Sequence, residues 1–353
     1  MKIITVIGAR PQFIKASILS NKIIQQNSFS EVIIHTGQHF DETMSDIFFQ
    51  EMKIPFPNYN LGINNSNYSN MVGSMVNNII PILKKEKADA ILVYGDTNST
   101  LAGSISAAQI NKPLIHVESG LRSHNRLMLE ETNRIITDHL SSLLFCPSEE
   151  SINNLKAERI NQRIVKSGDI MYDAFLQYKN KLLNHKKSTF SNYILCTIHR
   201  RENTFSKKNL VEIFSNLDKI NCSSKVVMPI HPSTRKKMSE YKINTEITLI
   251  SPQSYLSLLS LLIESDMVIT DSGGLQKEAF FANKKCITVR EQTEWTELID
   301  LKVNFLSNSN TLYNKYKNLS FNNEGFGKNI YGDGKSADII VDSINKYLHN
   351  KIT

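Results

Sequence analysis

The 353-residue sequence predicts two doubly wound, parallel α/β domains in succession. Three observations carry that expectation. Short runs rich in Val, Ile and Leu alternate with helix-length segments from one end of the chain to the other. The runs are apolar throughout rather than at every second residue, as strands covered on both faces must be. They also fall into two series, in a chain long for a single core.

The first series is Ile3–Ile7, Val32–His35, Ala90–Tyr94, Leu114–Val117 and Leu143–Cys146. The second is Ile194–Thr197, Val226–Ile230, Ile247–Ile250, Met267–Thr270 and Cys286–Val289. Met71–Lys85 and Ser254–Ile263 are patterned as helices between strands. The series part within about residues 166–190, where Asp169–Asp173 leads into a Lys/Asn-rich helix and then Lys186-Lys187-Ser188. This places one domain at 1–168 and the other at 169–335, and a last amphipathic helix at 336–353 follows the Gly332-Asp333-Gly334 turn. Only Asn308–Lys317 has the composition of a disordered segment.

Bulk properties exclude several classes. No run reaches the ~20 apolar residues that span a bilayer, and Met1–Gly8 reads as a strand rather than a leader, so a cytoplasmic protein is expected. The formal charge of +7 comes from scattered lysine pairs without a basic stripe, which argues against nucleic acid. Cys146, Cys196, Cys222 and Cys286 are far apart, without metal-ligand spacing, so neither a metal site nor a disulfide framework is expected.

In open α/β sheets ligands gather at the carboxyl ends of the strands, here around one interdomain cleft. After the first strand, Arg10, Pro11 and Lys15 bring cations to a helix start, a suitable place for phosphate, though a plain turn with a surface Arg would read the same. G-x-G-x-x-G is absent there, so a dinucleotide cofactor is not expected. Asp96, Glu118 and the Glu130-Glu131 pair follow later strands. One carboxylate could be a cap or dipole partner, but several at neighbouring strand ends point to chemistry. In the second half His199 reads as functional, while His231 fits a structural role equally well. Asp271-Ser272-Gly273-Gly274, with Glu278 one turn on and Arg290 after the next strand, has the form of an anion-binding helix start with a ribose partner; a tight turn needing small residues is the alternative.

With these motifs in this order, the chain resembles the non-hydrolysing UDP-N-acetylglucosamine 2-epimerases, from residue 1 to about residue 340. The resemblance implies a glycosyltransferase-B-like fold whose final helix returns to the first domain. It also implies a homodimer that makes surface polysaccharide precursors without cofactor or metal. Arg10, Ser272, Gly273 and Gly274 match diphosphate positions, Glu278 the ribose position, and Asp96, Glu118, Glu130 and His199 the catalytic group; Lys15 and Arg290 match further active-site positions. The implied reaction eliminates UDP from a UDP-linked acetamido sugar and adds it back, inverting C2. A hydrolysing epimerase, a glycosyltransferase and a silent nucleotide-sugar sensor are the rival readings. The first loop reads G-A-R-P-Q-F-I-K where G-T-R-P-E-A-I-K is common. Thr36–Phe40 replaces the usual A-Q-H-R stretch, and Leu129 stands where proline is usual. The first two departures resemble the subgroup acting on more elaborate sugars, such as 2,3-diacetamido uronates or N-acetyl-6-deoxyhexosamines.

Overall fold

The computed structural model describes residues 1–38, 51–63, 68–182, 190–319 and 325–350. The chain divides into two compact units, one formed by 1–177 with 329–353 and the other by 178–328. The first unit thus keeps most of the helix Ile170–Leu182, which the sequence placed beyond the boundary. Asp169 and Asp173, read as the start of a linker, are buried. Lys186–Ser188 lies outside the described residues.

In the first unit β1 (Lys2–Ile7), β2 (Ser30–His35), β3 (Tyr59–Asn60), β4 (Ala90–Tyr94), β5 (Leu114–Val117), β6 (Leu143–Cys146) and β7 (Ile164–Lys166) form one parallel sheet, ordered β3-β2-β1-β4-β5-β6-β7. In the second, β8 (Tyr193–Thr197), β9 (Lys225–Pro229), β10 (Thr248–Ile250), β11 (Met267–Thr270), β12 (Cys286–Val289) and β13 (Asn304–Ser307) are ordered β10-β9-β8-β11-β12-β13. Both orders reverse direction once, between β1 and β4 and between β8 and β11. At such a switch point the loops diverge and leave a crevice.

The strands are as apolar as expected because helices cover both faces. Ile4, Val6, Ile91 and Val93 join Met75 and Ile79 of the helix Tyr68–Lys85 in one core. Ile194, Met228, Ile269 and Ile287 join Phe214 and Leu217 of the helix Lys207–Asn221 in the other. Cys146, Cys196 and Cys286 are buried, and burial pushes the thiols of Cys146 and Cys286 up to about 12.

Asn308–Lys317 is a correction. Leu312–Lys317 is helical, Leu312 is fully buried, and Tyr313 and Tyr316 pack on the second core. Three apolar anchors in six residues outweigh the polar composition around them.

The last helix, Ser336–His349, packs on the first helix of the chain, Arg10–Gln26, where Lys22 pairs with Asp338. Asp173 Oδ2 accepts the Ala337 N–H at 2.8 Å and so caps that helix from a distant segment. Residues 351–353 lie outside the described residues.

Candidate active site

In the first unit the loops after β1, β4 and β5 converge. Arg10 opens the helix Arg10–Gln26, with Pro11 in its first turn. The buried Gln12 ties this loop down with its whole amide. Its Oε1 accepts from the N–H groups of Gly8 (2.8 Å) and Ala9 (3.0 Å), and its Nε2 donates to Tyr94 O and Thr100 Oγ1, both at 3.0 Å. Phe13, the neighbouring departure from the common loop, stacks on His35 with ring centroids 5.2 Å apart. Of the Thr36–Phe40 stretch, His39 and Phe40 lie outside the described residues. Gln38 Oε1 accepts from Ser99 N–H at 3.0 Å and thereby fastens the loop after β2 to the one after β4.

Lys15 and Glu118 form an ion pair with both side chains less than a tenth exposed. Glu118 has a left-handed backbone, φ 70°, an uncommon conformation for a residue with a Cβ and one that concentrates at functional sites. Gly95, at φ 61°, makes room for the pair, because a Cβ there would stand 2.9 Å from Glu118 Oε2 and 3.3 Å from Lys15 Nζ.

Asp96 is held by a different partner. Its Oδ2 accepts from Arg134 Nε (3.0 Å) and Nη2 (2.6 Å), and its carbonyl accepts from Asn133 Nδ2 at 2.9 Å. Arg134 also reaches Glu131 Oε2 at 2.9 Å. Glu131 accepts the N–H groups of Ser123 (2.8 Å) and His124 (2.9 Å), so it shapes the loop after β5. Burial works against its charge, yet the Ser123 N–H and the Arg134 guanidinium hold its carboxyl below the ordinary range. Its neighbour Glu130 is half-buried and accepts no hydrogen bond from the described residues. The Glu130-Glu131 pair is therefore divided, one carboxylate building the loop and the other accepting nothing from the described residues.

The second unit repeats the placement at its own switch point. Asp271, fully buried after β11, accepts the N–H groups of His199 (3.0 Å) and Arg200 (2.9 Å) and the Asn203 amide (3.0 Å). It also lies 3.3 Å from His199 Nδ1, which turns Nε2 outward. His231 caps the helix Pro232–Tyr241, its Nδ1 accepting from Ser233 N–H at 3.2 Å, and its ring centroid is 6.2 Å from that of His199. The capping bond gives His231 a structural role.

Ser272 caps the helix Gly273–Phe281, whose first two residues are Gly273 and Gly274. Among the described residues, apart from its chain neighbours and its own helix backbone, no atom lies within 4 Å of where a Gly274 Cβ would be, so its backbone is open to a close approach. Glu278 is buried in the second turn. Arg290 is engaged by Glu294 at 3.0 Å, and both side chains are buried. An anion at Arg290 would share the guanidinium with that carboxylate. Among the described residues, no group of three or more His, Cys, Asp or Glu could hold a metal ion.

Each unit thus presents ionisable groups at its switch point, carboxylates in the first and histidines with a glycine-led helix start in the second. The sequence reading named both members of the Lys15–Glu118 pair, but named Asp96 and His199 without giving an orienting role to Arg134 and Asp271. Asp271 opens the glycine motif and Arg134 follows the Glu130-Glu131 pair by one helical turn; Glu294 gave no signal of its own.

A family described as UDP-N-acetylglucosamine 2-epimerase matches residues 21–345. The UDP-2,3-diacetamido-2,3-dideoxy-D-glucuronate 2-epimerase of Pseudomonas aeruginosa is 46% identical over 311 residues, 87% of this chain and 88% of that one. A UDP-N-acetylglucosamine 2-epimerase homolog of Methanococcus maripaludis is 44% identical over 357 residues, 97% of this chain and 99% of that one. Among solved structures, the Methanocaldococcus jannaschii UDP-GlcNAc 2-epimerase in complex with UDP-GlcNAc and UDP superposes with a TM-score of 0.92, at 36% identity, covering 98% of this chain and 100% of that one.

Proposed function

The chain belongs to the UDP-N-acetylglucosamine 2-epimerase family, and from that premise we propose that it reversibly inverts C2 of a UDP-linked 2-acetamido sugar without hydrolysing it. The observation that carries this reading is the set of carboxylates at the first unit's switch point: Glu118 held by Lys15, Asp96 held by Arg134, and Glu130, which accepts no hydrogen bond from the described residues.

A 2-acetamido sugar has no carbonyl beside C2, so its C2–H is a poor acid until C1 becomes electron-poor. The C1–O bond breaks first, and UDP leaves with the bonding pair. A carboxylate takes the C2 proton, and the C–H electrons form the C1–C2 double bond of a glycal. A proton then returns to C2 from the opposite face while a UDP oxygen re-bonds to C1. Planar C2 needs proton exchange on both faces, which accounts for more than one carboxylate among Asp96, Glu118 and Glu130. His199, oriented by Asp271, presents Nε2 to the departing diphosphate. Arg10, Ser272, Gly273 and Gly274 hold the diphosphate, and Glu278 accepts from ribose hydroxyls. Lys15, His231 and Arg290 complete the substrate contacts.

For the sugar, the Pseudomonas relative supports a 2,3-diacetamido uronate. His124 and Arg126 are exposed on the loop before Glu130, and one or the other meets the uronate carboxylate in this reading. The cytoplasmic homodimer and the polysaccharide-precursor role belong to the same reading.

Incubation with UDP-sugars in D₂O, without acceptor and followed by NMR, tests the function. Deuterium is expected at C2 of the product and, with time, at C2 of recovered substrate, because a carboxylate exchanges its proton with solvent between the two faces. Retention of the original C2 hydrogen would sink elimination–addition. Release of free sugar with stoichiometric UDP would indicate the hydrolysing reaction instead. Efficient turnover of UDP-N-acetylglucosamine with none of the uronate would overturn the substrate assignment alone.

Ser272→Ala and Glu278→Ala are expected to weaken UDP binding, each by about 1–3 kcal/mol, the range for removing one partner of a buried or charged hydrogen bond. Calorimetric titration with UDP checks this. Unchanged affinity in both would move the nucleotide elsewhere.

A further inference from the structure

In the second unit the glycine-led helix start is braced by the loop after β12. Trp295 is 3% exposed, and its Nε1 donates to Gly273 O at 3.0 Å. Lys277, buried on the same helix, places Nζ 3.9 Å from the centroid of the indole, so the ring is held by its face as well as by its N–H. Gln276 braces the peptide one step earlier. Its Nε2 donates to Ser272 O at 3.1 Å, and its Oε1 accepts from Thr293 Oγ1 and Asn304 Nδ2, both at 2.8 Å. Thr293 Oγ1 in turn accepts the Trp295 N–H at 3.2 Å, which joins the two donors into one support. Glu294, between Thr293 and Trp295, packs so closely that a Cβ on Gly273 would stand 2.5 Å from its Oε1.

What these contacts control follows from the planarity of the peptide. The carbonyl of Gly273 and the N–H of Gly274 lie in one rigid plane and point in opposite directions. The carbonyl of Ser272 and the N–H of Gly273 form the plane before it. At a helix start such N–H groups have no intrahelical acceptor. Ser272 Oγ accepts the third of them, from Leu275, at 3.4 Å. A donor on each carbonyl therefore sets the direction of the glycine N–H at the other end of its peptide. A carbonyl has two lone pairs, so the indole bond adds to the helical one rather than replacing it. The restraint matters because two successive glycines have the freest backbone a chain can offer. Unbraced, they would give up that freedom only when an anion arrives, and the loss would be subtracted from its affinity.

We propose that Trp295 is a positioning residue for the diphosphate. Its indole N–H, fixed on Gly273 O, holds the Gly273–Gly274 peptide so that the Gly274 N–H is aimed at the anion before binding. The proposal rests on the reading that Gly273 and Gly274 hold the diphosphate of UDP.

Trp295 is the only tryptophan of the chain, so its ring can be altered biosynthetically at this one position. Full-length protein made with 3-benzothienylalanine in place of tryptophan carries sulfur where the indole carries N–H. It keeps the two fused rings and their place under Lys277. Calorimetric titration with UDP is paired with NMR titration by uridine, which has no phosphate. In the substituted protein UDP affinity is expected to fall about 5–10-fold, the effect of one hydrogen bond, while uridine affinity stays as in the wild type. Trp295→Phe also removes the N–H and is expected to show the same split, and it carries the test should the substituted protein fail to fold. An equal fall for UDP and uridine would make Trp295 a general support of the unit and overturn the proposal. Unchanged UDP affinity in both altered proteins would overturn it too. If Ser272→Ala, Glu278→Ala and both Trp295 replacements all left UDP affinity untouched, the nucleotide reading of this helix start would fall together with the proposal. Loss of affinity in the first two alone would leave that reading standing and reject the role of Trp295.

Discussion

Glu118→Gln is expected to lower turnover by about 10²–10⁴-fold, the usual contribution of a general acid or base, while UDP affinity stays unchanged. The amide is nearly isosteric and can still accept from Lys15, so the left-handed turn and the packing against Gly95 survive. What disappears is the capacity to take and return a proton. Steady-state kinetics with the UDP-sugar, together with titration by UDP, separates the two properties. If the variant lost UDP affinity and kept turnover, Glu118 would have to be reassigned from the sugar to the nucleotide.

Arg134→Met should be the most damaging single change for stability in this part of the molecule. Arg134 is almost wholly buried and serves two carboxylates, Asp96 and Glu131. Breaking a buried ion pair by removing one partner typically costs about 3–5 kcal/mol; the partial exposure of Asp96 places this case near the lower end. The sign of the pH effect follows from Glu131. Its folded carboxyl lies below the ordinary range, so its stabilising contribution is complete above the unfolded value and fades as pH falls through the folded one. The gap between wild type and variant should therefore be widest at neutral pH and close in acid, where protons neutralise the stranded carboxylate. The only tryptophan, Trp295, belongs to the other unit and would not report this loss. Hydrogen exchange in the helix Leu129–Leu140 would, and equal protection in both proteins at neutral pH would show that the bridge contributes nothing.

Much of this site could be read from the sequence, because a strand buried on both faces leaves an unmistakable apolar run and the residue after it is positioned by default. That is how Asp96, Glu118, His199 and Ser272 emerged. Short or half-buried strands left no such run, so Tyr59–Asn60, Ile164–Lys166 and Asn304–Ser307 were missed. The supporting polar residues were harder still. Arg134 and Asp138 sit on one helix as ordinary charged residues, and only tertiary contact shows that the first holds Asp96 and the second holds the turn after Glu118. Glu131 carried the opposite ambiguity: beside Glu130 it looked equally chemical, until four donors around it claimed its carboxylate for the loop.

The capping of Ser336–His349 by Asp173 has a consequence for the order in which the protein is made. The second unit is one unbroken stretch, 178–328, and can close as soon as it has left the ribosome. The first unit begins earlier but is finished later, since Lys22 and Asp173 wait for a helix translated after every residue of its neighbour. Nascent chains stalled before residue 336 should therefore carry a protease-resistant second unit beside an incompletely consolidated first one, inverting the order in which the two were begun.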